Sequence, residues 1–427
     1  MKSFKRFFIP CLLSLICLPM VSLAQDPMLF IYRPHWPQQG NAFHNSISFS
    51  GEYNAGSDAV TNSFLNSMYK GGFLDSTTKA DQENRLLPSN RIGIYASYAM
   101  AYSWRGTSDS AKWEFMIAYR DRQSFSGKFS ADAFKLAFEG NRPFLGKTAT
   151  IDNTHLTNMH WQQLQFEAKY FSPDKRSDAT FGFSILNGQQ LQEINIRKGS
   201  VFTQSDGTAI DVASSATYFR SDTSSTTLGA RNGSGSCFNF RFNTYLGDSS
   251  AHYHSQVSFM VQDLGFIHWN NKSDIFSVDT NAHYTGVDAS NVLVNGGHLT
   301  GVPNSDSIIH PPQHGQIIAF LLLGIRFRYT LITPYSWWGG IDARAWSYGD
   351  AMPHLTMFAG WHTKDFHFNV SGGAAYGGYA RLQFPLQVGW ESCNYFSLIV
   401  GTTNVAGYIA PKQTHGQGLF MNLSFAF

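Results

Sequence analysis

Apolar and polar residues alternate along the end of the chain. Counting back from the carboxyl terminus, every second residue is apolar: Leu419, Met421, Leu423, Phe425 and Phe427. The residues between them are mostly small or polar. Side chains of a β-strand alternate between two faces. This pattern predicts the closing strand of an outer-membrane β-barrel, and the apolar row is its membrane-assembly signal. The edge strand of a soluble β-sandwich is the alternative.

The same alternation recurs along the middle of the chain, in segments of about ten residues separated by turn residues. One segment, residues 91–104, places Ile92, Ile94, Tyr98, Met100 and Trp104 on a single face. Further segments lie at residues 46–53, 113–120, 163–170, 181–185, 238–243, 256–262, 325–331, 340–347, 354–361, 366–372, 380–388 and 395–401. Bacterial barrels close with even strand numbers. We therefore predict an all-β, transmembrane antiparallel barrel of about 14 strands, within a range of roughly 12 to 16.

Several stretches do not resemble barrel wall. Residues 25–44 contain three prolines and form an irregular N-terminal segment, either a plug or a periplasmic segment. A short helix is predicted over Ser130 to Glu139, since Ser130 is a good N-cap and Gly140 ends it. Residues 206–236 and 286–316 have the composition of long surface loops. The glycine-rich residues 372–378 are interpreted as a tight turn between strands.

The beginning of the chain has the pattern of a secretory signal peptide. Lys2, Lys5 and Arg6 form a basic region, residues 7–21 are nearly all apolar, and small residues precede Gln25. We therefore predict cleavage before Gln25. The domain organisation is then a signal peptide at 1–24 and a single barrel domain at 25–427, exported to the outer membrane of a Gram-negative cell. The predicted partners there are membrane lipid and the barrel assembly machinery.

Composition favours a barrel. Charged residues make up 14% of the chain, against about 25% in soluble domains. Aromatic residues make up 15%, which suits a lipid-facing belt with aromatic girdles. Removing the three signal-peptide cations from 31 Lys and Arg leaves 28 against 29 Asp and Glu, a net charge of −1. This balance indicates no nucleic-acid partner. Cys237 and Cys393, the cysteines left after cleavage, are predicted to be unpaired wall residues.

No compact catalytic or metal-binding motif is found. The 15 histidines lack a zinc spacing, and no nucleophile elbow is present. We therefore predict a protein that is not an enzyme and has no cofactor, metal or catalytic residue. Charged residues at positions that face the lumen are predicted to order an interior network, and lining a substrate path is the alternative. These residues are Arg120, Glu167, Lys169, Arg241 and Asp263.

Short segments along nearly the whole mature chain resemble an uncharacterised Bacteroidota outer-membrane family, which is defined by a domain of unknown function. The segments include residues 138–141 (Phe-Glu-Gly-Asn), 180–188 (Thr-Phe-Gly-Phe-Ser-Ile-Leu-Asn-Gly), 263–269 (Asp-Leu-Gly-Phe-Ile-His-Trp) and 401–412. The family is related in architecture to FadL and PorV barrels. The resemblance implies a barrel of about 14 strands with an N-terminal element in or near the lumen. The family's Asn-Pro-Ala near the start is absent here, where residues 40–43 read Gly-Asn-Ala-Phe.

The resemblance leaves two functions open, of which uptake of hydrophobic small molecules is the prediction and a non-transporting scaffold is the alternative. FadL-like relatives take up hydrophobic small molecules, and the apolar ligand contacts would then include Phe30, Tyr32, Trp337 and Trp338. PorV-like relatives are non-transporting subunits of secretion or cell-envelope assemblies and bind protein partners. An apolar pocket with a gap in the wall would favour uptake. A polar lumen filled with side chains would favour a scaffold. A barrel enzyme ranks third, for want of a catalytic constellation.

Overall fold

The computed structural model describes residues 44–427, except 72, 107–110, 223, 225–228, 248–253, 286–312, 334–335, 348–349, 364–367 and 393–395. The predicted signal peptide, the N-terminal segment up to residue 43, and Cys393 lie outside the described residues. Described strands are β1 Asn45–Ser57, β2 Ser89–Arg105, β3 Trp113–Ser130, β4 Lys147–Thr150, β5 Thr154–Phe171, β6 Ser177–Thr203, β7 Ile210–Arg220, β8 Gly233–Leu246, β9 His254–Tyr284, β10 Gln313–Phe320, β11 Gly324–Ile332, β12 Trp337–Trp346, β13 Met352–His362, β14 Phe368–Gly378, β15 Leu382–Gln383, β16 Leu386–Ser392, β17 Phe396–Thr402 and β18 Gly416–Ala426.

Fourteen of these strands form a closed antiparallel barrel, as predicted. In wall order they are β1, β2, β3, β5, β6, β8, β9, β11, β12, β13, β14, β16, β17 and β18. The last strand pairs with the first from Ser46↔Ala426 to Gly56↔Gly416, which closes the wall. Closure satisfies the backbone hydrogen-bonding groups that an open edge would expose to lipid.

The two ends of the barrel differ in the length of their connections. Described connections at the end near Asn45 and Phe427 are short, such as residues 172–176 between β5 and β6. Those at the other end are long, such as residues 58–88 between β1 and β2. Outer-membrane barrels have short periplasmic turns and long extracellular loops. The chain therefore ends on the periplasmic side.

Apolar side chains cover the outer face of the wall. Along β3 the exposed row is Trp113, Phe115, Ile117 and Tyr119, and the alternate residues point inward. Aromatic rings form a girdle near the periplasmic rim. Tyr102 stacks on Trp104 at 5.8 Å between ring centroids, and Trp104 stacks on Phe115 at 5.7 Å. This arrangement matches a lipid-facing belt.

In the described part of the chain, four α-helices lie outside the wall. They are α1 Asn62–Tyr69, α2 Ser76–Glu83, α3 Ala131–Glu139 and α4 Ala406–Ile409. The predicted short helix is confirmed by α3. Its N-cap, Ser130, accepts a hydrogen bond from the Ala133 backbone N–H at 3.0 Å, and Gly140 follows it at φ +78°. None of the described helices is long and apolar enough to cross a membrane.

Two loop predictions are wrong in part. The segment 206–236 contains β7, which pairs with β6 from Gln192↔Arg220 to Thr203↔Ile210. Its Ser and Thr content resembles a loop, but β6 continues beyond the membrane and offers a free edge for pairing. The glycines of 372–378 lie in β14 and not in a turn. A Cβ at Gly373 would come within 2.2 Å of the Met357 carbonyl oxygen, so this packing requires glycine.

Phe427→Lys is expected to reduce assembly into the membrane. Phe427 lies on the outward row, and its backbone N–H donates to the Asn45 carbonyl at 2.9 Å across the closing seam. A lysine near the membrane interface costs up to about 1 kcal/mol, so we expect roughly a fivefold fall in heat-modifiable barrel. Ser424→Lys, on the inward row of β18 (Gly416–Ala426), is the matched control. Equal yields from both variants would contradict the assignment of the assembly signal.

Candidate functional site in the barrel lumen

The lumen is lined by polar and charged side chains because strand alternation turns them inward. Arg120, Arg122, Gln163 and Gln165 are all buried, while their neighbours Tyr119 and Leu164 are exposed on the outer face. Charges buried in this way need partners, since an unpaired buried charge is very costly. The partners come from the opposite side of the wall as well as from neighbouring strands.

A buried ion pair crosses the lumen from β3 (Trp113–Ser130) to β9 (His254–Tyr284), the third and seventh strands of the wall. Arg122 donates from Nη1 to Asp263 Oδ1 at 2.6 Å and from Nη2 to Oδ2 at 2.7 Å. The two side chains are 2% and 3% exposed. The guanidinium also donates from Nε to the Tyr95 hydroxyl at 2.9 Å and lies 5.0 Å from the Trp161 ring centroid. This bidentate contact ties two distant parts of the wall together.

The backbone around Asp263 is shaped to direct its carboxylate inward. Asp263 has φ +62°, and its N–H donates to Asn239 Oδ1 at 2.8 Å. The β8–β9 register shifts between Phe238 and Phe240, as at a β-bulge. Two residues later Gly265 packs so tightly on β8 (Gly233–Leu246) that a Cβ would lie 2.2 Å from the Ser236 carbonyl oxygen. The segment Asp-Leu-Gly-Phe-Ile-His-Trp is therefore a structural unit of the wall.

A second luminal cluster gathers three guanidinium groups around one carboxylate. Arg326 and Arg328 each donate from Nε to Asp342 Oδ2 at 2.7 Å, and Arg344 donates from Nε to Oδ1 at 2.5 Å. His354, also buried, follows on the next strand, paired in register with Arg344. These residues lie on β11, β12 and β13, so the cluster is held by a single stretch of wall.

A small cavity with a mixed polar and apolar lining lies between β3, β5 (Thr154–Phe171), β6, β8 and β9. Its volume is about 20 Å³, enough for a single water molecule. Glu167 lies 3.6 Å from Arg241 at its edge, and Gln165 donates to Glu167. Its lining residues are Arg120, Gln165, Glu167, Thr180, Asn239, Phe240, Arg241, Met260 and Gln262.

An apolar cluster lies in the lumen nearer the extracellular side. Trp161, Leu186, Ile267, Trp269 and Leu321 are all buried in it. It borders a break in strand pairing: β9 pairs with β11 (Gly324–Ile332) up to Gln262 and with β10 (Gln313–Phe320) from Phe266. The Leu321 N–H donates to the Gly265 carbonyl at 3.0 Å within this break.

Connections from one side of the extracellular mouth reach across to the other. The ring of Tyr379, which follows β14 (Phe368–Gly378), lies over Gly93 of β2, where a Cβ would come within 2.1 Å of it. Ala380 packs against Gly56 of β1 and Gly416 of β18. His155 of β5 lies 3.3 Å from Asp350, which is in the connection between β12 and β13. These contacts narrow the mouth.

The His155 contact is expected to depend on pH. His155 lies near the extracellular end of β5, beyond the lipid-facing residues of that strand. Hydrogen bonds to Asp350 and Glu193 raise its pKa from 6.5 to about 9. A raised pKa stabilises the contact fully below about pH 6.5, and this stabilisation is lost as pH rises through about 9. We expect the protection factors of backbone amides near Asp350, which correct for base-catalysed intrinsic exchange, to fall above pH 9, and His155→Gln to remove this fall. His283→Gln, at a different His–Asp pair, should keep it. The same pH profile in His155→Gln protein would contradict the assignment.

The structure brings some of the predicted site residues together and separates others. Arg120, Glu167 and Arg241 line one cavity, and Asp263 pairs with Arg122 nearby. Lys169 instead lies 4.6 Å from the Phe171 ring centroid. Trp337 faces outward and Trp338 is buried in the lumen, because consecutive strand residues alternate. Phe30 and Tyr32 lie outside the described residues.

The strongest charged contacts are not among the residues predicted from the sequence, although strand alternation indicates the inward face for each of their members. These residues are Arg122, Arg326, Arg328, Asp342 and Arg344. Cys237 is buried and has no disulfide to any described residue. Among the described residues, no group of three or more His, Cys, Asp or Glu side chains is arranged to hold a metal ion.

Comparisons with known proteins place this barrel in a family. Solved structures with similar architecture include the P. putida toluene transporter TodX, at 9% identity, TM-score 0.45 and 90% coverage of both chains. The Ralstonia pickettii toluene transporter TbuX matches at 9% identity and TM-score 0.42, covering 90% of this chain and 88% of its own. The translocator domain of the Neisseria meningitidis autotransporter NalP matches at 6% identity and TM-score 0.32, with 91% and 90% covered.

With TM-scores below 0.5, these likenesses bear on neither substrate nor mechanism. A search of curated proteins gives no match. A family model described as a family of unknown function, DUF5723, matches residues 38–310, well over half of the chain. The protein therefore belongs to the DUF5723 family.

Proposed function

We propose that this protein is a non-transporting scaffold of the outer membrane that binds an envelope protein partner outside the cell. The observation that carries the proposal is the Arg122–Asp263 pair, which crosses the lumen and is almost fully buried. A hydrophobic substrate passing this level would have to separate two buried charges. Removing one partner from such a pair costs about 3–5 kcal/mol.

Two other parts of the described lumen support the same proposal. The Arg326–Arg328–Arg344 cluster on Asp342 and the cavity near Glu167 occupy the interior with charged groups. Apolar substrates prefer concave, largely apolar sites with a few polar groups. The lumen between these clusters has the opposite character, which favours a structural role for its charges.

The proposed binding surface is the sheet that continues beyond the membrane. It comprises β4, the upper part of β6, β7 and the upper part of β9, which pairs with β7 from Ile210↔Tyr284 to Arg220↔Asp274. The 11 residues of β7 extend about 35 Å along the strand. The far end of this sheet carries His283 of β9 and Asp211 of β7, which pair with each other and are both about half exposed. A Bacteroidota cell envelope is the setting that the sequence resemblance implies.

Photo-crosslinking in intact cells tests the proposal. A photoreactive residue replacing exposed Asn281, near the far end of the sheet, is expected to yield a stoichiometric adduct with an envelope protein. The same residue replacing Phe183, on the lipid-facing row of β6, is the control and should not yield it. In planar bilayers the purified wild-type protein should stay closed. A conducting wild-type barrel, or no protein adduct from Asn281, would overturn the scaffold.

Uptake of a hydrophobic small molecule is the second candidate. It is favoured by the apolar luminal cluster around Trp161 and Trp269, which borders the pairing break between β9 and β10–β11. A molecule crossing the wall there would meet apolar side chains. Native mass spectrometry of protein purified from its own membrane separates the two functions. A co-purifying apolar ligand released on denaturation would favour uptake, and a bound protein partner would favour the scaffold.

A further inference from the structure

Arg120 carries a buried positive charge on the inward face of β3. The residue is 5% exposed, and its Nε has no hydrogen-bond partner. Two carboxylates in this part of the lumen already have cationic partners. Asp263 is paired with Arg122, and Glu167 lies 3.6 Å from Arg241. An unpaired buried charge is very costly, so the Arg120 guanidinium favours a further negative partner.

The Arg120 side chain lines the small cavity between β3, β5, β6, β8 and β9. The cavity volume is about 20 Å³, which accommodates one particle of about the size of a water molecule. The charged residues of the lining are Arg120, Arg241 and Glu167. Two cations and one carboxylate give the lining a net charge of +1. A single monovalent anion would therefore neutralise it.

Neutral hydrogen-bond donors also line this cavity. They are the Thr180 hydroxyl and the side-chain amides of Asn239 and Gln262. The Asn239 Oδ1 already accepts from the Asp263 N–H at 2.8 Å. The Nδ2 group is therefore the part of the Asn239 amide that can serve a ligand. Donors of this kind, together with a guanidinium, favour an anion over a cation.

The cavity is more accessible from the periplasmic side than from the extracellular side. Arg122 lies two residues beyond Arg120 toward the extracellular end of β3, and its buried pair with Asp263 crosses the lumen there. Arg241 lies on the other side, nearer the periplasmic end of β8, and its side chain is 32% exposed. An ion would therefore enter the cavity from the periplasm.

We propose that this cavity binds a single chloride ion, or another monovalent anion of similar size. Arg120 would supply the charge that holds the ion, and Thr180 and Asn239 would donate hydrogen bonds to it. The ion would then link β3 to β6 and β8 inside the lumen. This inference goes beyond the scaffold proposal and does not depend on it, because a single bound ion is compatible with a closed or a conducting lumen.

Thermal unfolding of the purified barrel in detergent, followed by tryptophan fluorescence, tests this inference. Sodium gluconate is replaced by sodium chloride at constant ionic strength, since gluconate is too large for the cavity. Chloride is expected to raise the unfolding midpoint of the wild-type protein by about 2 °C, because a ligand that binds only the folded state stabilises it. Arg120→Gln should abolish this shift. Arg85→Gln, at an exposed pair with Asp81, should keep it.

Bromide in place of chloride locates the ion in crystals of the wild-type protein. An anomalous scattering peak beside the Arg120 guanidinium is expected, and this result does not require any variant to fold. A wild-type midpoint that is the same in chloride and gluconate would show that the cavity holds only water. An equal chloride shift in Arg120→Gln, or bromide peaks only elsewhere, would show that the anion binds at another place. Each of these results overturns the inference.

Discussion

Arg122→Ala is expected to destabilise the barrel by about 3–5 kcal/mol, because it leaves the Asp263 carboxylate buried without its partner. Both side chains of the pair are nearly inaccessible, so the stranded carboxylate would be poorly solvated. Urea-dependent tryptophan fluorescence of protein refolded into lipid vesicles gives the free energy of unfolding. Asp263→Ala should show a similar loss of stability, since it leaves the Arg122 guanidinium buried without its partner.

Two controls separate this pair from a general effect of removing charge. Arg85→Ala removes an exposed pair with Asp81 on α2 and should cost less than about 1 kcal/mol. Arg122→Met combined with Asp263→Leu removes both charges together and should recover most of the stability, because an apolar replacement avoids the stranded charge. Equal stability of Arg122→Ala and Arg85→Ala would show that the cross-lumen pair does not hold the wall together.

Gly265→Ala is expected to prevent correct pairing of β8 and β9. A Cβ at this position would lie 2.2 Å from the Ser236 carbonyl oxygen and 2.5 Å from Cys237 Cα, both backbone atoms that cannot move alone. Overpacking of a tight interior usually costs 1–3 kcal/mol, and more when the backbone must shift. We expect a loss of about 3 kcal/mol or more, seen as little heat-modifiable barrel in the membrane fraction.

The matched control is Gly324→Ala on the neighbouring strand. Apart from the residues next to it in the chain, the nearest heavy atom would lie 3.8 Å from the new Cβ, which is an ordinary van der Waals distance. Gly324 is paired in register with Gln262, close to Asp263, so both substitutions probe the same region of wall. A Gly265→Ala barrel that assembles as well as Gly324→Ala would show that the β8–β9 contact can relax.

Together these two predictions concern how the charged pair inside the lumen is held in place. The bulge at Asp263 turns a carboxylate toward Arg122, and the close approach at Gly265 holds that bulge in place. If both features are structural, the Asp-Leu-Gly-Phe-Ile-His-Trp segment maintains the barrel and is not a substrate site. We then expect the partner-binding surface to lie outside the lumen, on the projecting sheet.

Local patterns in the sequence determined the wall and one helix. The apolar row from Leu419 to Phe427 faces outward because strand geometry alone separates alternate residues. The segments of alternating residues added up to 14 wall strands, and Ser130 with Gly140 delimited α3. Each of these features depends only on residues a few positions apart, and one sequence is enough to specify them.

Only the tertiary structure decided which inward residues meet. Arg122 and Asp263 are 141 positions apart, and strand alternation says that both point inward without saying that they touch. Their contact depends on closure of the wall and on the bulge before Gly265. The strand β7 formed in a loop-like sequence because β6 offered it an edge, and α1 took its position from Gly416 and Gln417. The residues that meet in the closed barrel are distant in sequence, and no local pattern encodes their contacts.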